Sequence, residues 1–192
     1  KNGFVFLPII FTNNLFNIHI LIQTICVFFS FCLVSSAVYV FNDVLDREKD
    51  KEHPRKKSRT IASGRISISL VLTCSISLLI SGIALGSYIK ISVTIILLMY
   101  VVINIAYSTA IKHIIIIDVM TIATGFVLRV YAGTELTGTQ ATAWIVSTTY
   151  FLSLMLGYGK RRGELVLLGD KSSNHRSVLK QYTSEFLDKI KE

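Results

Sequence analysis

The chain has 192 residues, of which 52% are hydrophobic, with a mean hydropathy of +0.58 and a formal net charge of +8. Its apolar residues come in blocks of about 20, the length a helix needs to cross a bilayer, which argues against an ordinary soluble domain. Barrel-type alternation is missing too, so the expected class is an all-α polytopic transmembrane helical bundle.

In chain order, a short apolar segment covers residues 4–16, with Pro8 set to kink it. Longer apolar spans follow at 18–41, 66–88, 91–111, 114–132 and 141–158, about six spans in all. A polar tail, partly helical, covers 160–192. The whole of 1–192 reads as one transmembrane domain.

Charge orients it. Eight of the 20 Lys/Arg lie in residues 42–65 and eight in 160–192. With the 42–65 loop and the 160–192 tail in the cytoplasm, 17 of the 20, Lys112 included, fall on that side; Lys1, Lys90 and Arg129 do not. That is the positive-inside pattern of a multi-pass cell-membrane protein, and it accounts for the basic charge better than a nucleic-acid stripe does. Cys26, Cys32 and Cys74 sit inside apolar blocks without metal or disulfide spacing, so they read as small core residues.

The densest polar stretch follows the second span. Continued as a helix, it places Asp43, Asp46 and Asp50 within about 60° of arc, with Asn42 about 40° beyond. Such acids repel unless a cation lies among them, and Mg²⁺ prefers one or two carboxylates plus substrate phosphates. A solvated helix end, its acids paired with Arg47, Lys49 and Lys51, explains them equally well at this point. The basic loop behind them contains Lys56, Lys57, Arg59 and Arg65. It suits a polyphosphate, or else an anchor at anionic lipid.

The order N-D-x-x-D-x-x-x-D over 42–50, then a basic loop ending in Ile61-Ala62-Ser63-Gly64-Arg65, resembles the first signature of the UbiA-type membrane prenyltransferase superfamily. Residues 1–8, Tyr107-Ser108, Lys112, Ile117-Asp118-Val119, the run 125–129, Ala132-Gly133 and the run 159–165 resemble its decaprenyl-phosphate phosphoribosyltransferase branch. The resemblance implies a UbiA-like bundle in which Asp-rich motifs bind Mg²⁺-diphosphate. That bundle has roughly nine helices, so a C-terminally incomplete one is expected here. Where aromatic prenyltransferases of the superfamily carry a second Asp-rich motif, this chain has Gly159-Lys160-Arg161-Arg162-Gly163-Glu164. Cations there favour a lipid monophosphate over an isoprenyl diphosphate.

The expected reaction is therefore transfer of 5-phosphoribose from phosphoribosyl diphosphate to a polyprenyl phosphate, for lipid-linked sugar synthesis. Asp43, Asp46 and Asp50 would hold Mg²⁺, supported by Asn42. Lys56, Lys57, Arg59 and Arg65 would hold donor phosphates, and Lys160, Arg161 and Arg162 a phosphate of either substrate. Tyr107, Lys112 and Asp118 complete the substrate-binding set, and His175 and Arg176 are further phosphate candidates. Arg129 is assigned a structural role, snorkelling outward or pairing with Glu135. An aromatic prenyltransferase, a transporter and a lipid-binding anchor remain as alternatives, and homo-oligomerisation stays open.

Overall fold

The computed structural model describes residues 1–52 and 57–168, with side chains as far as 163. Every regular element among them is helical. A 3₁₀ turn at Asn2–Phe6 leads into α1 (Leu7–Phe11), with Pro8 in its first turn, where a missing N–H costs nothing. Then come α2 (Ile18–Leu45), α3 (Arg47–Glu52), α4 (Ile68–Ile89), α5 (Ile91–Thr109), α6 (Ile117–Thr137) and α7 (Ala143–Leu168). Of the six expected spans, the first is thus a pair of short turns and the other five are long helices.

The helix starts follow side-chain chemistry. Asn17 accepts from the backbone N–H groups of His19 and Ile20 and so caps α2. Ser67 caps α4 in the same way through Leu70. By length and composition α2, α4 and α5 are each able to cross a membrane, whereas α6 and α7 are as long but more polar. Ile76, Ile80, Ile95 and Phe151 stand exposed on their outer faces, an arrangement suited to lipid.

Three boundaries depart from the sequence expectation. The helix expected to continue through Asp50 pauses at Asp46, which leaves helical geometry at φ −89°, ψ 3° before α3 restarts. Asp and Asn side chains compete with the helix backbone for hydrogen bonds, and Asp46 has two side-chain partners drawing on it. α6 starts later than expected and runs on to Thr137 rather than Ala132. Ile116 precedes it at φ 68°, an uncommon conformation for a β-branched residue. α7 does not end at Tyr158 but carries the basic run 160–162 on the same rod.

α4 lies along α2, α7 along α6, and α5 touches α2, α4 and α6. The core between them contains Val27, Phe31, Val34, Val93, Leu97 and Tyr100. Ser75 donates to the Ala37 carbonyl at 2.9 Å and ties α4 to α2, as hydroxyls often do between membrane helices. Two glycines permit approaches that any side chain would block. A Cβ at Gly133 would strike the Val5 carbonyl, so the N-terminal turn rests directly on α6. A Cβ at Gly157 would strike Val119, so α7 lies close against the start of α6.

Candidate active site

A cavity of about 480 Å³ opens among the N-terminal turn, α2, α5, α6 and α7. At one end it is lined by Asn42, Tyr107, Ser108, Lys160 and Arg161; further in it is lined by Tyr100, Gly125, Phe126 and Arg129. The polar end is where the C-terminal ends of α2 and α5, the start of α6 and the latter part of α7 converge. Antiparallel packing of consecutive helices brings them to one level.

The three predicted aspartates flank this end and do not line the cavity themselves. Arg59 bridges two of them, donating to Asp43 Oδ1 at 2.9 Å and to Asp50 Oδ2 at 3.0 Å. Asp50 is buried. Asp46 accepts from Lys112 Nζ at 2.6 Å and from the Asn42 amide at 3.2 Å. Among the described residues, no three His, Cys, Asp or Glu side chains converge into a ready-made metal cage. The acids therefore face cations of the chain itself.

A metal still fits the donor set. The buried Asn42 Oδ1 has no hydrogen-bond partner among the described residues. It is a hard oxygen beside hard carboxylates, and Mg²⁺ is commonly held by one or two carboxylates completed by water and substrate phosphate. The field at this spot already stabilises positive charge, since Arg59 and Lys112 occupy it.

The remaining predicted residues divide. Arg47, flanking the motif, donates to the Ile61 carbonyl at 3.3 Å and pins the far end of the basic loop. Lys57 and Arg65 are exposed and lie off the cavity. Lys56, His175 and Arg176 lie outside the described residues. Tyr107, Lys160 and Arg161 line the cavity, whereas Lys112, Asp118 and Arg162 do not. Asp118 is fully buried and accepts from Arg161 Nε at 2.9 Å, an ion pair joining α6 to α7. Asp118 also sits in the first turn of α6, where the helix dipole favours a carboxylate.

Arg129 is the main correction. It neither snorkels nor pairs with Glu135, which pairs instead with Lys90 at 3.0 Å. It is buried and lines the cavity. Its Nε donates to Asn2 Oδ1 at 2.9 Å, and its terminal nitrogens to the Tyr100 hydroxyl at 3.1 Å and to the Gly125 carbonyl. Sequence reasoning also passed over Tyr100. The available signal was an ionisable residue well inside an apolar helix, which is a functional candidate by default.

Most of the chain matches a known family. Residues 6–159 fit the UbiA prenyltransferase family. The chain belongs to that family. Among curated relatives, it is 30% identical over 175 residues to the decaprenyl-phosphate phosphoribosyltransferase of Corynebacterium glutamicum, covering 90% of this chain and 53% of that protein. It is likewise 30% identical over 170 residues to the Mycobacterium tuberculosis enzyme of the same name, covering 88% of this chain and 56% of that one. The chain thus spans about half the length of these UbiA-family relatives. A solved UbiA homolog from Archaeoglobus fulgidus, bound to GPP and Mg²⁺, matches with a TM-score of 0.76 at 19% identity, over 88% of this chain and 61% of that one. At that identity the likeness shows the fold: a membrane-embedded UbiA helical bundle.

Proposed function

We propose that the protein is a Mg²⁺-dependent membrane phosphoribosyltransferase, moving 5-phosphoribose from phosphoribosyl diphosphate to a polyprenyl monophosphate of decaprenyl type. The observation that carries this reading is the make-up of the cavity's polar end. Asn42 lines one side, with the three aspartates flanking it just outside the cavity, and Lys160 and Arg161 line the other side. Acids with metal suit a diphosphate leaving group, and cations suit a phosphate-bearing acceptor. The names of the corynebacterial and mycobacterial relatives point the same way.

Asp43, Asp46 and Asp50, with Asn42 beside them, would hold Mg²⁺, which when bound supplies positive charge against the departing diphosphate. Lys112 keeps one oxygen of Asp46 oriented. Lys56, Lys57, Arg59 and Arg65 take up donor phosphates, so Arg59 exchanges its two carboxylates for the ligand. Arg161, held by Asp118, presents its terminal nitrogens with Lys160 to the acceptor phosphate, and Arg162, off the cavity, adds positive charge nearby. A phosphate oxygen of the acceptor forms the bond to ribose C1 while the C1–O bond to diphosphate breaks, and the electron pair leaves with the diphosphate. The acceptor is already anionic, so no strong general base is required. The polar end faces the cytoplasm, as the distribution of Lys/Arg indicates.

Membranes containing the protein, supplied with labelled phosphoribosyl diphosphate and polyprenyl phosphate, test the reading. Asp43→Asn and Asp46→Asn should each lower lipid-linked phosphoribose by roughly 100-fold or more, the scale of several kcal/mol of lost charge stabilisation. Chelation of divalent metal should abolish product. Full activity in either variant, or product from an isoprenyl diphosphate and an aromatic acceptor instead, overturns it.

A further inference from the structure

The Arg129 guanidinium sits on α6, 11 residues beyond Asp118, which is about 16 Å along the helix axis. It is 3% exposed, and it has no acidic partner among the described residues. The other buried arginine among the described residues, Arg161, has Asp118. Around Arg129 the neighbours are neutral: Phe31, Tyr100 and Phe126 present rings at 5.4, 4.7 and 5.6 Å. Ring faces offset part of the cost of burying a cation, but they leave its charge uncancelled.

The hydrogen-bond count leads to the same place. A guanidinium has five N–H donors and cannot lose its proton in a protein. Asn2, Gly125 and Tyr100 each accept one. One donor remains on each terminal nitrogen, enough for charge-assisted hydrogen bonds to an oxyanion. Arg129 also lines the cavity, so those donors are reachable by a ligand inside it. A charged side chain deep in an apolar bundle is costly unless it faces a cavity or meets a partner, and here a ligand is the available partner.

We infer that Arg129 forms a phosphate-monoester subsite at the inner end of the cavity, separate from the Asp-rich end. A phosphate monoester fits because it is close to a dianion at neutral pH and offers several acceptor oxygens. The identity of that phosphate rests on the proposed function, in which both substrates bear one: the donor's 5-phosphate, or the lipid's own phosphate if Arg129 rather than Lys160 and Arg161 holds it.

The test measures equilibrium binding of ribose 5-phosphate and of farnesyl monophosphate to the full chain in nanodiscs, for wild type, Arg129→Met and Arg129→Lys. Arg129→Met should weaken one probe by roughly 10- to 100-fold, the scale of lost hydrogen bonds to a charged group, and leave the other within about threefold. Arg129→Lys, which keeps the charge but loses the planar guanidinium, should weaken the same probe by roughly three- to tenfold. Loss of ribose 5-phosphate assigns the subsite to the donor, and loss of farnesyl monophosphate to the lipid acceptor. If Arg129→Met does not fold, Arg129→Lys decides alone by its own threshold. The inference falls if wild type binds neither probe, if the folded variants bind both as wild type does, or if both probes weaken together. Binding needs no turnover, so wild type that binds a probe yet transfers no phosphoribose overturns the function and leaves the subsite. Wild-type transfer rates in Arg129→Met overturn the subsite and leave the function.

Discussion

Two sets of ion pairs flank the same end of the cavity, and water separates their roles. At the end of α2, the Arg59 and Asp43 side chains are 47% and 36% exposed, while the second partner of Arg59, Asp50, is 7% exposed. Across the cavity, Arg161 and Asp118 are 3% and 0% exposed at a similar separation of 2.9 Å. The Lys112–Asp46 pair lies between them in exposure, at 13% and 24%. An exposed pair gains little free energy, because water competes for both partners, and so can be exchanged for a ligand at low cost. A buried pair is hard to open, because separating two charges out of reach of water is costly. On this reading the Asp-rich wall rearranges on binding, and Arg161 stays where it is.

The sharpest way to break this comparison is Asp118→Ala. It leaves Arg161 buried without its carboxylate and should lower stability by about 3–5 kcal/mol, seen as earlier thermal unfolding in detergent. The double change Asp118→Leu with Arg161→Leu should recover most of that loss, since both charges of the pair are then gone. Unchanged stability in Asp118→Ala would show that the pair is not a fixed joint. Next in size is Lys112→Met, which strips a charge-assisted hydrogen bond from Asp46 and should cost about 1.5–3 kcal/mol in the same assay. Smallest is Asp43→Asn, which opens only the exposed half of the Arg59 bridge, at about 1 kcal/mol or less, and that cost should shrink further as salt is raised. If Asp43→Asn destabilised as much as Asp118→Ala, the division into movable and fixed sides would be lost.

Much of the candidate site was legible in the sequence because its signals are local. The N-D-x-x-D order, the basic loop and the run Lys160–Arg162 each lie within one short stretch, and a helix end at a membrane face needs little else to be recognised. The grouping of the acids was less legible. Helical spacing suggested three carboxylates around one metal, but the pause at Asp46 and the arrival of Arg59 and Lys112 gave each acid a partner first. Lys112 comes from 66 residues away, and its choice of Asp46 is set by how α5 hands over to α6.

By itself the sequence determined the all-helical membrane class, the helix order and the two charged ends. Bilayer thickness and helical periodicity read those from runs of about 20 residues. Only the tertiary structure decided the cavity and the place of Arg129 in it. Its fate depends on Asn2, 127 residues away, and on Tyr100, 29 residues away. Which distant acceptors and rings meet a buried guanidinium is settled by close helix packing, which no local pattern encodes.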